Sequence, residues 1–270
     1  MGKAQIVNLC QHEHFRLKKA YFGPEVLANF DYNSITDNTV YTPGTGSTYP
    51  VRELRAPIQV VSGLTTYNGA ASAQHYTGYT YEAGRLHLQG KGFLGFEKVM
   101  EEDVAWKTQK TSTFETDTVW FYPALKTVIV EDTDDNVIID STGFINKFKT
   151  FNYFENKAFF PYAESSVSKD YLHNLTTTTN WLYDDYGNLT SHDIDYNNDA
   201  KIITSNTYTT FNPNWWCSSS RLQQTHTQKR RTVPGDLADV FPETAEYTYN
   251  NSGALKTQIK NSATVSYGNF

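Results

Sequence analysis

Cysteine is nearly absent from this chain. Only Cys10 and Cys217 occur in 270 residues, and a secreted scaffold stapled by disulfides would carry more. Nothing in the sequence supports a bridge between the two. Long apolar runs are also missing, with no stretch near the roughly 18 residues of a spanning helix, so no such helix is encoded. The opening Met1-Gly2-Lys3-Ala4-Gln5-Ile6-Val7 lacks the apolar centre of a secretory signal. Ile6 stands where a myristoylation motif wants Ser or Thr. Positive charge is scarce: 23 Lys and Arg face 29 Asp and Glu, for a net charge of -6. That balance argues against nucleic acid as a partner. The one basic cluster, Lys229-Arg230-Arg231, stands just before Pro234-Gly235 and reads as a solvated loop flank. With 9 Pro and 16 Gly the chain is neither collagen-like nor disordered by composition. No convincing amphipathic helix pattern is present.

Aromatic and β-branched residues take the place of what is missing. The chain has 19 Tyr, 16 Phe and abundant Thr, residues that favour pleated, half-buried surfaces. Its length suffices for one large β region or two smaller ones. The most telling feature is a pair of matching segments. Tyr183-Asp184-Asp185-Tyr186-Gly187-Asn188-Leu189 and Tyr249-Asn250-Asn251-Ser252-Gly253-Ala254-Leu255 both read Tyr, Asp or Asn, two residues, Gly, one residue, Leu. Asp and Asn tolerate turn conformations, and Gly supplies a positive φ without steric cost. Each segment is therefore expected to be a β-hairpin, and repetition points to a repetitive architecture.

The rest of the chain extends this pattern. Strands are expected at Phe15–Lys18, Leu27–Phe30 and from Ile58, with a loop over 42–57. His75–Tyr81 alternates with period 2, and Glu82-Ala83-Gly84-Arg85-Leu86 reads as a short hairpin turn. Gly90, Gly92 and Gly95, interleaved with Phe93, Leu94 and Phe96, predict a twisted strand with close backbone approach. Asp132–Asn136 reads as the polar turn of a hairpin between Thr127–Val130 and Val137–Ile139. The aromatics of 144–162 favour strands. From Thr176 the pattern is strand, turn, strand, broken at Asn212-Pro213-Asn214 and Pro234-Gly235. A short helical turn is expected near Asp236–Asp239, and a last hairpin over Ala245–Lys260. No linker splits the chain, which reads as a single β-rich region over 1–270. A soft internal boundary lies near 100–110, where Met100-Glu101-Glu102-Asp103 is charged.

These residues resemble a known family. His75–Val99, with Tyr-Thr-Gly-Tyr-Thr-Tyr-Glu and then Gly90-Lys91-Gly92-Phe93-Leu94-Gly95-Phe96, is similar to a stretch of the B-type subunits of insecticidal toxin complexes and their SpvB-like relatives. The Tyr-Asp-x-x-Gly-x-Leu units resemble those of the Rhs/YD-repeat superfamily. Trp181–Leu255 follows that family's order, with Asn214-Trp215-Trp216 and Arg221-Leu222 between the two units. The resemblance covers roughly residues 15–260. It implies an all-β fold of stacked antiparallel hairpins forming a large curved sheet, part of a shell that encloses a toxin segment. It also implies a bacterial protein, secreted or delivered to a cell surface, whose partners are other shell segments, a toxin-complex subunit or a cargo polypeptide. The family's self-cleaving aspartyl protease region normally holds an Asp-Pro pair, and this chain has none. A fragment or a shortened relative is therefore expected.

Residues that suggest chemistry have plainer roles beside them. His12-Glu13-His14 places two imidazoles on one strand face, but a metal needs a further ligand. Asp132, Asp134, Asp135 and Asn136 resemble part of a calcium loop without its Gly and distal Glu. Asp193 with Asp195, or Glu101 with Glu102, would be a carboxylate pair for glycoside cleavage, and such pairs are also common in turns. Cys217 with His226 mimics a thiol and base, with nothing to orient the imidazole. Trp215-Trp216 would stack on a sugar or line a wall. Asn174-Leu175-Thr176, Asn188-Leu189-Thr190 and Asn250-Asn251-Ser252 fit glycosylation acceptors. The sequence reading is a non-enzymatic scaffold without cofactor or metal. The motif residues Tyr183, Asp184, Gly187, Leu189, Tyr249, Asn250, Gly253, Leu255, Gly92, Phe93, Gly95 and Phe96 serve structure in it. Sheet edges are expected to be capped or to associate. A carbohydrate-binding surface module and, more weakly, a hydrolase are the alternatives.

Overall fold

The computed structural model describes residues 16–22, 25–67, 74–151, 158–197, 200–210, 219–233, 236–249, 254–261 and 263–266. Every regular element in them is a strand. The chain forms two compact units, Met1–Ser141 and Thr142–Phe270. The charged stretch at 100–110 lies within the first, inside a hairpin.

The first unit contains β1 (Lys19–Phe22), β2 (Glu25–Ser34), β3 (Tyr41–Thr42), β4 (Val51–Glu53), β5 (Gln59–Tyr67), β6 (Gln74–His87), β7 (Gly92–Asp103), β8 (Thr108–Thr116), β9 (Pro123–Asp132) and the start of β10 (Val137–Phe151). β1, β2, β5, β6, β7, β8 and β9 pair antiparallel in that order. β5 meets β6 only from Gln74 to Gly78, so the far half of that edge would be left open. The missing partners are two short strands at Tyr41–Thr42 and Val51–Glu53, so the stretch expected as loop over 42–57 is partly strand. β3 pairs parallel at Tyr41↔Tyr81, and β4 pairs antiparallel at Arg52↔Leu86. The segment 35–58 brings in the core, where Ile35, Tyr41 and Leu54 are buried against Val60, Tyr81 and Phe96. Each such apolar side chain contributes about 1.5–3 kcal/mol. The Tyr41 hydroxyl donates to Leu54 O at 3.0 Å and accepts from Gly84 N at 3.1 Å, so its polar tip is satisfied inside.

The second unit runs from the rest of β10 through β11 (Ala158–Asp170), β12 (Leu175–Tyr183), β13 (Leu189–Tyr196), β14 (Ala200–Thr210), β15 (Ser219–Val233), β16 (Asp236–Tyr249), β17 (Leu255–Lys260) and β18 (Ala263–Ser266). From β11 onward each strand pairs antiparallel with the next. Thr and aromatic residues explain the propensity: β12 reads Leu-Thr-Thr-Thr-Thr-Asn-Trp-Leu-Tyr. Among its residues whose side chains are described, only Ser166, Asn206 and Ala245 are buried.

A regular irregularity bends both sheets. β6/β7 shifts register between Arg85 and Leu86, and β8/β9 between Thr113 and Phe114. β12/β13, β14/β15 and β16/β17 shift at Leu182/Tyr183, Thr207/Tyr208 and Thr248/Tyr249. The pairings between them, β7/β8, β11/β12, β13/β14 and β17/β18, run without a shift, whereas β15/β16 has two. A bulge adds a residue to one strand, bends it and increases its twist. In these five hairpins the shift lies near the turn, and β1/β2 and β2/β5 shift as well, at Ala20/Tyr21 and Asp31/Tyr32, so bending accumulates along each unit.

Three local expectations are corrected. The strand expected at Phe15–Lys18 is absent over 16–18, and the first strand is Lys19–Phe22, which pairs with β2. Glu82–Leu86 is no turn: β6 runs through it, and the chain reverses at Leu88–Lys91. Gly84 is there for space, since a Cβ would stand 3.0 Å from Leu54 Cδ2 and 3.1 Å from Phe96 Cε1. Asp236–Asp239 is not helical but opens β16, because pairing with β15 overrides its weak local signal.

Candidate functional site

The first Tyr-Asp unit is a hairpin turn between β12 and β13. Tyr183 pairs with Leu189, one residue past the bulge. Asp184 N donates to Asn188 O at 3.0 Å, and Gly187 N donates to Asp184 O at 3.2 Å. The Asp184 carboxylate takes up the remaining donors. Its Oδ1 accepts from Tyr186 N and Asn188 N, both at 2.9 Å, while Oδ2 accepts from Asn188 Nδ2 at 2.8 Å. Gly187 sits at φ 82°, the left-handed region where a side chain is strained. The motif thus divides its work among its residues. Asp gathers amides, Gly reverses the chain, and Tyr and Leu close the ladder.

The unit is locked from outside its own hairpin. Lys149 on β10 donates to Tyr183 O at 2.8 Å and Asp184 O at 3.0 Å. Asn206 Nδ2 and the Tyr208 hydroxyl, both on β14, donate to Leu189 O at 2.9 Å each. The Tyr183 ring meets Phe160 edge-on at 5.2 Å and Tyr162 at 5.0 Å. Burial pushes the Tyr183 phenol above its ordinary range, with the neighbouring Tyr162 adding to the effect. Lys149, Asn206 and Tyr208 carry no signal in the sequence, because each acts across strands far apart in the chain.

In the second unit Asn250, Asn251, Ser252 and Gly253 lie outside the described residues. Its ends are described and repeat the first: Tyr249 pairs with Leu255, one residue past a bulge. The glycine-rich stretch is β7. Gly92 and Gly95 have φ of 74° and 94°, and Leu94 is buried. Phe96 packs on Tyr81 at 4.6 Å, Tyr41 at 5.9 Å and Phe93 at 5.2 Å. The glycines let β7 bend so that Phe96 reaches the core, while Phe93 stays half exposed.

A second turn device recurs, and sequence alone displays it at only some of its positions. Asp103, Asp117, Asp132 and Asp170 each open a hairpin turn, and a carboxylate oxygen of each accepts turn amides. Four residues on, Lys107, Phe121, Asn136 and Asn174 have φ of 52° to 53°. The spacing Asp-x-x-x-Asn at 132 and 170 is a legible signal. Lys107 and Phe121 conceal it, since neither favours that conformation. Hydrogen bonds from the amide and ring of His173 hold the Asp170 carboxyl below its usual range.

The residues that suggest chemistry do not assemble into a reaction centre in the described part. Asp132 serves its own turn, and Asp134 pairs with Lys107. Glu101 and Glu102 are consecutive on β7 and so point to opposite faces, with Glu101 3.1 Å from Lys110. Asp193 and Asp195 share a face, where Asp193 accepts from Ser191 Oγ at 3.0 Å and lies 3.6 Å from Lys201. His12, Glu13, His14, Trp215, Trp216, Cys10 and Cys217 lie outside the described residues. His226 is in β15, opposite Thr204. No group of three or more His, Cys, Asp or Glu side chains that would hold a metal occurs among the described residues. No described helix is long and apolar enough to cross a membrane.

Comparison with known proteins agrees with this geometry. Residues 16–127 match the family model described as the middle/N-terminal region of the insecticide toxin TcdB. The chain resembles the TcdB-type region of insecticidal toxin complexes. The crystal structure of the TcdB2–TccC3–Cdc42 complex superposes with a TM-score of 0.57 at 9% identity, covering 86% of this chain and 17% of that one. The Photorhabdus luminescens Tc holotoxin pore gives 0.55 at 8% identity, covering 76% and 16%. At such identities the likeness is one of fold, and the chain spans about a sixth of the length of each of the two matched chains. Both neighbours are multi-subunit toxin complexes. No curated protein matches.

Proposed function

We propose that this chain is a section of toxin-complex shell wall, a non-enzymatic β-scaffold that encloses or docks a toxin polypeptide. One observation carries the reading. Both units are mainly antiparallel sheets with register shifts near several hairpin turns, and among the second unit's residues whose side chains are described only Ser166, Asn206 and Ala245 are buried. A catalytic domain needs a rigid, water-excluding pocket with groups held in place. A bent sheet with amphipathic faces suits the enclosing of a chain. The Rhs/YD units act in this reading as fasteners that pin their hairpins, and the first also offers carbonyls to its neighbours. The likeness to toxin complexes supports other toxin-complex subunits as partners.

A fluorescence anisotropy titration tests this, with the whole chain added to a permanently unfolded polypeptide, reduced and carboxamidomethylated α-lactalbumin, and native α-lactalbumin as control. Saturable binding of the unfolded form alone is expected. Equal binding of both forms, or of neither together with tight binding on a glycan array, would reject the scaffold in favour of a carbohydrate-binding module.

A further inference from the structure

We infer that His87 is an acid-sensitive latch. As a neutral imidazole it holds three turns together at one rim of the first unit, and a further proton on it releases them.

Three separate stretches of chain meet around this side chain. His87 ends β6 and is 6% exposed. Val51 of β4 lies opposite it on one side and Gly92 of β7 on the other. The turn that follows it, 88–91, is tied to the stretch before β4. Leu88 N donates to Pro50 O at 2.9 Å, and Gln89 Nε2 donates to the Tyr49 hydroxyl at 2.8 Å. The third stretch is the turn between β8 and β9. Its Phe121 ring packs on the imidazole at 4.5 Å, and Lys91 Nζ donates to Trp120 O. Phe121 has φ 52°, a conformation that costs a bulky residue energy and persists only where the surroundings hold it. Asn136 and Asn174 fill the equivalent place in other turns. The contact with His87 is what holds Phe121 there.

The chemistry of the ring makes this seam conditional. Gln89 N donates to His87 Nδ1 at 3.2 Å. A backbone amide only donates, so Nδ1 carries a lone pair and the ring proton sits on Nε2. A second proton goes to Nδ1. It sets a donor against a donor and puts a full charge in a buried site. The carboxylates on the elements packed here are engaged elsewhere. Glu53 accepts from Ser47, Glu97 pairs with Arg85, Glu115 with Lys126, and Asp117 accepts from Val119 N and Trp120 N. Tyr49, Tyr122, Arg52, Arg85 and Lys91 bring no negative charge at neutral or acid pH. Acid acts the other way at the far end of β7. His75 Nε2 lies 2.8 Å from Asp103 Oδ2, and protonation strengthens that pair. One rim therefore loosens while the other tightens. Release frees the Phe121 ring beside Tyr49, Leu88 and Val119, which are already exposed.

The experiment follows amide exchange by NMR on the whole chain at about pH 7.5 and about pH 5, on either side of the ordinary imidazole range, with intrinsic rates divided out. Exchange at Gln89 and Phe121 is expected to speed up at least tenfold in acid, while amides of β12 and β13 change less than twofold and those of Ala105 and Trp106 do not speed up. His87→Asn puts a carbonyl oxygen where Nδ1 stands and does not titrate, so the acid effect at Gln89 and Phe121 should vanish. If that variant fails to fold, the ring nitrogens of the wild type decide. The Nε2–H tautomer should pass to imidazolium over the same pH interval in which the Gln89 amide loses protection. An imidazolium that leaves Gln89 protected, a ring that stays neutral as protection is lost, an acid effect undiminished in His87→Asn, or equal acceleration throughout the chain would overturn the inference.

Discussion

At the scale of single residues, the chain uses glycine and aspartate where a backbone reversal demands them. Gly187 at φ 82° is the clearest case. Gly187→Ala is expected to cost about 1–2 kcal/mol from the left-handed penalty, read as a lower urea midpoint. A change under about 0.3 kcal/mol would mean that the turn is not the hinge of its hairpin. Tyrosines supply a pH dependence. Burial, with smaller contributions from Tyr79 and Glu101, pushes the Tyr81 phenol up to about 12 from an ordinary 10.0. Burial also raises Tyr41, Tyr79, Tyr122 and Tyr183. Their folded values lie above the unfolded ones, so this contribution is fully present below pH 10 and is lost as pH climbs toward 12. Chemical denaturation at about pH 7, 8.5 and 11.5 should show equal stability at the first two and a clear fall at the third. Asp170 has the opposite sign: its carboxyl is held low, so its contribution is present above the ordinary carboxylate range and fades as pH falls through the folded value.

At the scale of elements, the question is how a local hairpin becomes part of a sheet. The turn pattern of 183–189 is legible because every group it needs, Asp184, Gly187 and Asn188, lies within one short segment of sequence. The αL turns at Asp103 and Asp117 are hidden because Lys107 and Phe121 occupy a position where Asn or Gly is the expected sign. Phe121 is there for packing, its ring 4.5 Å from that of His87. Lys149 is invisible for another reason: its bonds to Tyr183 O and Asp184 O span 34 and 35 residues. Lys149→Met keeps the stem and removes the donor. Faster amide exchange at Asn188 and Gly187 is expected, with little change elsewhere in β12 and β13. Unchanged exchange there would show the ammonium to be incidental. Gly84 reads as a turn residue because sequence does not distinguish a glycine that bends the chain from one that makes room for Leu54 and Phe96.

For the molecule as a whole, composition foretells an all-β chain and the motifs foretell repeated hairpins, but neither specifies the bulges. A register shift depends on how two strands meet, and the shifts at Leu182/Tyr183 and Thr248/Tyr249 are visible only once Tyr is seen opposite Leu. Nor does sequence foretell that 35–58 caps the open edge of β6, since β3 and β4 are too short to carry a periodic signal. The function proposed above is that these bent sheets enclose or dock a polypeptide. The decisive measurement is protease protection. Fluorescent unfolded α-lactalbumin is digested by a small amount of proteinase K with and without a saturating amount of the whole chain, with an equal mass of serum albumin as control. The account predicts digestion slowed at least fivefold by this chain and not by albumin. Digestion at the albumin rate, with the chain itself intact throughout, would contradict it.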